Sequence, residues 1–246
     1  MKQLLLSFLL FFTINFSATA EENVDPFEDL NRSVYEFNDT IDDNLLEPVS
    51  RAYKDNVPEV AQDGVSNFFG NLRDVTTLAN QILQFKPVES VETFGRILVN
   101  STIGLGGLFD VASDMDLTTE DEDFGQTMAV WGVEEGPYVV IPLLGPSTVR
   151  DGVGVYVDVT SPANMVNEMD DVGFVSASTM NIVDKRVELL PVTDMLDQSD
   201  DPYIAMRSSY LQKRNFDVHD GSPPVEEDDE FYDEDDETPA GELPSA

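Results

Sequence analysis

Ile97 to Phe109 reads ILVNSTIGLGGLF, and Gly136 to Val149 reads GPYVVIPLLGPSTV; neither stretch carries a charge. They interrupt a chain with 49 acidic and 13 basic residues and a formal net charge of -36. As a straight helix each block would reach only ~20 Å. A bilayer span takes about 20 consecutive apolar residues. Both blocks are also broken by Gly or Pro, so neither is predicted to cross a membrane. They suit a buried core or a surface lying partway into one leaflet.

Working outward, the 246 residues allow one large domain or two small ones plus ends. Lys2, the apolar run Leu4 to Phe16 and Ala18-Thr19-Ala20 read as a cleavable secretory signal over residues 1–20. The chain has no cysteine. Disulfides, thiolate metal sites and lipid attachment through an N-terminal cysteine are therefore not expected. The acidic balance opposes nucleic acid as a partner, because phosphates need Lys and Arg. It equally opposes a polybasic grip on anionic lipid, so any membrane contact must be apolar.

Helix signals fill the rest. Asp25-Pro26-Phe27-Glu28 combines a cap, a first-position proline and a third-position acid. Phe27, Leu30, Val34, Phe37 and Ile41 follow at helical spacing. Pro48 is expected to open a short helix, and Pro58 another that ends at Gly70. Val75, Leu78, Ala79 and Ile82 mark a further one. Pro87 starts the next, with Val88, Val91, Phe94 and Leu98 as its apolar stripe. Gly104, Gly106 and Gly107 follow, relaxing the backbone and allowing close approach. Asp123 caps a helix through Trp131, and Tyr138 to Ile141 is strand-like. Ser147 caps another helix, Val175 to Leu190 traces a long amphipathic one, and Asp201-Pro202 opens the last. The expected fold is all-α: one domain over residues 21–219, built of eight to ten short helices with one short β-hairpin or extended segment. Residues 220–246 hold 12 acids and no base, a composition expected to be disordered.

Catalytic motifs are missing. There is no G-x-S-x-G elbow and no phosphate-binding G-x-x-x-x-G-K-[ST] loop. The single histidine, His219, reads as a solvated surface residue. Asp114 to Asp123 resembles the start of a calcium loop. It has Thr119 where glycine is needed and Gly125 at the twelfth position, so a solvated acidic loop is the preferred reading. Phe27, Tyr35, Phe37, Phe68, Phe69 and Trp131 are expected in the core. No cofactor or metal is implied, and a non-enzymatic protein is expected.

Several segments resemble the VacJ (MlaA) family of outer-membrane phospholipid-asymmetry proteins. They are Asp25-Pro26 with Asn31, Arg32, Phe37 and Asn38, then Arg96 and Asn100 with Gly104, Gly106, Gly107, Asp110 and Ala112. Phe124-Gly125-x-Thr127, Gly136-Pro137-Tyr138, Pro142, Gly145 and Arg150-Asp151 follow. Asp201-Pro202-Tyr203 with Arg207 and Tyr210 closes the pattern. The resemblance implies a helical ring or wedge in the periplasmic leaflet of the outer membrane, enclosing an amphipathic channel. It further implies partnership with a trimeric porin and with a soluble periplasmic lipid carrier, to which misplaced phospholipids pass. On that footing Asn100, Gly104, Gly106, Gly107, Phe109, Tyr138, Val139 and Ile141 are expected in the channel or its gate. The competing expectations are a soluble periplasmic lipid-binding or chaperone protein, a phospholipase and an adhesive surface protein.

Overall fold

The computed structural model describes residues 24 to 224; the expected signal segment and nearly all of the acidic tail lie outside the described residues. Helix α1 spans Glu28–Ile41 and continues through a π-helical stretch, Asp42–Leu46, into α2, Glu47–Asn56. Pro48 therefore opens no separate helix. Its missing amide falls where the wider π turn has already displaced the hydrogen-bond ladder. Helix α3 runs from Glu59–Leu83 without a break, so Gly70 does not end it. The cost of an interior glycine, ~1 kcal/mol, is small beside the packing of this 25-residue helix against its neighbours. Helix α4 is Pro87–Thr102, and α3 and α4 form an antiparallel pair joined by Gln84, Phe85 and Lys86.

Helix α5, Phe124–Val130, begins with a capping box: the Asp123 carboxylate accepts from the Gln126 amide and the Gln126 side chain accepts from the Asp123 amide. Strands β1, Tyr138–Ile141, and β2, Gly145–Thr148, form an antiparallel hairpin with Tyr138 opposite Thr148 and Ile141 opposite Gly145. Helices α6, Val149–Thr160, α7, Asp171–Leu196, and α8, Pro202–Val218, complete the chain. Thr148, not Ser147, caps α6. The mainly helical single domain and the one short hairpin agree with the sequence reading.

The hairpin is held by side chains standing in for a third strand. Asn31 of α1 donates from Nδ2 to the Tyr138 carbonyl at 3.1 Å and accepts the Val140 amide at 2.9 Å. One heptad on, Asn38 donates to the Ile141 carbonyl at 3.1 Å and accepts the Leu143 amide at 2.8 Å. The other edge carries Pro146, which has no amide to leave unpaired. Tyr138 and Val140 then pack with Tyr203 and Tyr210 of α8 and Tyr35 of α1.

Helix α8 closes the domain by ion pairs. Asp25 accepts from Asn31 at 2.8 Å, from Arg207 at 2.8 Å and from the Tyr203 hydroxyl. Burial pushes the Asp25 carboxyl up, but those three donors together hold it below its ordinary value. Arg214 grips Asp151 through Nε and Nη2, both at 2.8 Å, and Asp123 at 2.6 and 2.7 Å. That cluster needs Gly125, where a Cβ would lie 2.3 Å from Arg214 and 2.6 Å from Asp151.

Candidate functional site

Burial in this domain runs against the rule for water-soluble proteins. Apart from Phe69, the buried residues of α3 are polar, Asn71, Asp74, Thr77, Asn80 and Gln81, and Gln84 just past its end is buried as well. These positions repeat every three or four residues, so they form one stripe. Thr93 and Asn100 are the buried residues of α4. The stripe is hydrogen-bonded to the segment that passes over it, residues 119–127. Thr127 donates to Asn80 at 2.8 Å, Gln84 donates to Glu122 at 2.8 Å, and Gln81 donates to Thr119 at 3.2 Å.

The apolar residues face outward instead. On α4 the whole expected stripe of Val88, Val91, Phe94 and Leu98 is exposed, Val91 at 72%. Leu30 and Phe37 of α1 are exposed while Asn31 between them is buried. Phe85, at the tip of the α3–α4 pair, is 87% exposed and holds a positive φ of 60°. It lines an apolar cleft with Ile82, Lys86, Pro87 and Ser90. Helix α7 is not amphipathic, its apolar and polar residues being spread around it: Val172, Val175, Ile182, Val192 and Met195 are exposed, and Asp184 and Arg186 are buried beside Val183 and Leu190. Phe37 and Trp131, expected in the core, are exposed, whereas Phe69 is buried. Large apolar side chains exposed in this number mark a contact surface. No helix among the described residues is long and apolar enough to cross a membrane.

The first uncharged block is the end of α4 and a tight loop. Leu105, Gly106 and Gly107 take consecutive positive φ values of 56°, 79° and 91°. This left-handed run turns the chain back so that the Gly107 amide donates to the Asn100 carbonyl at 2.8 Å and Phe109 to Gly104 at 3.0 Å. Gly104 is fixed by space, since a Cβ there would lie 2.2 Å from the Phe109 carbonyl. At Gly107 a Cβ would lie 2.7 Å from Asn71 Cβ. Gly106 faces open space, so only its backbone angle demands glycine.

Below the loop, Asn100 donates to Asp110 at 3.0 Å and accepts the Ala112 amide at 2.9 Å. Arg96 joins both sides: it meets Asp110 at 3.3 Å and Asp74 of α3 at 3.5 Å. Burial pushes the Asp74 carboxyl up to about 6, against the pull of Arg96.

The structure thus places Gly104, Gly106, Gly107 and Phe109 in one loop over α3, with Asn100 beneath it in the last turn of α4. It places Tyr138, Val139 and Ile141 in the hairpin, on α1, α6 and α8. Tyr138 is wholly buried among tyrosines, and Val139 and Ile141 are half-buried. Asn31 and Asn38 fasten α1 to the hairpin, and Asp25, Arg32, Asp201 and Tyr203 join the start of α1 to α8. Arg32 pairs with Asp201 at 2.8 Å and lies over the Tyr203 ring at 4.4 Å. Arg150 pairs with Asp151 at 3.0 Å. The Asp114–Asp123 stretch is not a wholly solvated loop: Asp121 pairs with Arg73, Glu122 is buried on Lys86, and Asp123 holds Arg214. Sequence reasoning missed the polar stripe of α3, although its three-and-four spacing is visible from Asn71 to Gln84.

A mainly helical domain with its polar residues inside and its apolar residues outside defines a protein shaped for a lipid interface. The chain belongs to the MlaA lipoprotein family, whose family model matches residues 23–217. It is 36% identical over 196 residues to the intermembrane phospholipid transport system lipoprotein MlaA of Shigella flexneri, covering 78% of this chain and 77% of that one. The protein of the same name from Haemophilus influenzae is 30% identical over 210 residues, covering 84% of each chain. A solved structure, from work on the structural basis for maintenance of bacterial outer membrane lipid asymmetry, matches with a TM-score of 0.69 at 34% identity. The match covers 79% of this chain and 98% of that one.

Proposed function

We propose that this protein is a non-enzymatic phospholipid transporter of the outer membrane, seated in the periplasmic leaflet by its apolar outer surface. Moving a CH₂ from acyl surroundings into water costs ~0.8 kcal/mol, so a two-chain lipid faces on the order of 20 kcal/mol or more. A protein lowers that barrier by offering tails an apolar wall and headgroups a polar one, with no chemical step. The glycine loop and Phe109, with Val139 and Ile141 of the hairpin, supply part of the wall or its gate; Asn100 and Tyr138 hold them in place. Misplaced outer-leaflet phospholipid passes through an amphipathic channel to a soluble periplasmic carrier, and a trimeric porin is the membrane partner.

The observation that carries this reading is the inversion seen on α3 and α4: polar residues of α3 are buried and hydrogen-bonded, chiefly to the 119–127 segment, while Val88, Val91, Phe94 and Leu98 of α4 are exposed. Such a surface is costly in water and comfortable among acyl chains. Detergent-free fractionation tests it: the protein is expected in the outer-membrane fraction, co-purifying with a porin. Recovery with the soluble periplasmic contents would favour a soluble lipid-binding or chaperone protein instead.

A further inference from the structure

The described cations are almost all committed to carboxylates. Every Lys and Arg among the described residues except Lys54 has a carboxylate oxygen within 4.0 Å. Several are committed twice: Arg96 to Asp74 and Asp110, Arg214 to Asp123 and Asp151, Lys86 to Glu122 and Asp220. Lys86 matters most, because it is the only cation lining the apolar cleft beside Phe85. Its ammonium sits 2.6 Å from Glu122 and 2.5 Å from Asp220, so the cleft offers a phosphate no unpaired positive charge.

The carboxylates, by contrast, are in surplus, 49 against 13 cations. The surplus is felt where α1 enters the π-helical stretch and faces the end of α7. There burial first, and then their own neighbouring carboxylates, push Asp39 and Asp197 above the ordinary range. A protein of this charge repels net-negative headgroups over roughly a Debye length, about 8 Å at physiological salt.

Resting on the transport reading, we infer that the protein discriminates by headgroup charge, favouring zwitterionic phospholipids that carry an ammonium over anionic ones. The ammonium of a zwitterionic headgroup offsets its own phosphate and is attracted by the surplus acids. A phosphatidylglycerol headgroup has neither advantage and meets no free cation in the cleft.

The test uses the full-length chain and vesicles holding equal phosphatidylethanolamine and phosphatidylglycerol with matched acyl chains. Lipid captured by the protein is extracted and quantified by mass spectrometry at low and at high salt. Phosphatidylethanolamine is expected to be enriched about fivefold or more at low salt, with less enrichment at high salt. Asp220→Asn, a change at an exposed side chain that releases one of the two partners of Lys86, is expected to raise the phosphatidylglycerol share. Equal capture of both lipids, or an excess of phosphatidylglycerol, overturns the headgroup preference while leaving transport standing. Capture of neither lipid overturns the transport reading and the preference with it.

Discussion

Asn31 and Val140 are joined as two strands would be, although Asn31 lies in a helix. The Asn31 side chain accepts the Val140 amide at 2.9 Å and donates to the neighbouring Tyr138 carbonyl and the Asp25 carboxylate. A two-stranded hairpin is marginal alone. Here one helix supplies the third edge through asparagines seven residues apart. Asn31→Ala leaves a buried amide and carbonyl unpaired, each worth about 1–3 kcal/mol. A loss of roughly 3 kcal/mol in urea unfolding is expected, and a change below about 1 kcal/mol would show that the hairpin stands without α1.

Gly125 makes room for the Arg214–Asp151 pair. Gly125→Ala places a carbon 2.3 Å from the guanidinium and 2.6 Å from the carboxylate. Disturbing a buried pair costs about 3–5 kcal/mol. The thermal midpoint is expected to fall by roughly 10 °C. Gly70→Ala, where a Cβ meets nothing within 4 Å, serves as the comparison and is expected to stabilise by up to ~1 kcal/mol.

The glycine loop separates packing from backbone angle. Gly107→Ala meets Asn71 and adds strain at φ 91°, so it is expected to destabilise the loop. Gly106→Asn keeps a residue that tolerates positive φ in open space and is expected to preserve both stability and lipid flux. Gly106→Val forces a β-branched residue into φ 79°. Outer-leaflet phospholipid is expected to accumulate in that variant at unchanged protein level; normal lipid levels would show that the loop is no gate.

Asp74 works against folding at neutral pH. Its carboxyl is raised from 3.8 to about 6 by burial, so the folded state takes up a proton at a pH where the unfolded chain has lost it. Stability from this group therefore falls as pH rises from about 4 to about 6, by on the order of 3 kcal/mol. Asp74→Asn is expected to raise unfolding free energy at pH 7, and the gain is expected to vanish near pH 4. A gain independent of pH would mean that Asp74 does not titrate in the fold. Asp151 has the opposite sign: burial raises its carboxyl, but Arg214 and Tyr210 more than offset that, so its contribution is present at neutral pH and lost in acid.

The outward face of α4 is open to a membrane test. Val91→Lys alters an exposed side chain and no hydrogen bond. It is expected to leave the fold intact by circular dichroism while moving protein out of the outer-membrane fraction. Unchanged fractionation would remove α4 from the contact surface.

The helical periods were legible in the sequence; their orientation was not. Val88, Val91, Phe94 and Leu98 recur as an amphipathic helix requires, and period alone does not say whether the apolar side faces protein or lipid. The polar stripe from Asn71 to Gln84 reads equally as a solvent face, and only the fold shows that it is the buried one. The long helix α3 was cut at Gly70 because a local breaker signal outweighed packing that only the fold reveals. The π-helical passage before Pro48 left no mark in the residue pattern. The signature residues were legible as a set, but their geometry assigns many of them to fastening the chain: Asp25 to Arg207, Arg32 to Asp201, Arg96 to Asp110.

The buried amides and hydroxyls that fasten α3 to the 119–127 segment have a consequence for where the protein is strong. Water competes for such bonds, and oil does not. Those contacts are therefore expected to hold most firmly where acyl chains, rather than water, surround the exposed apolar side chains of α4.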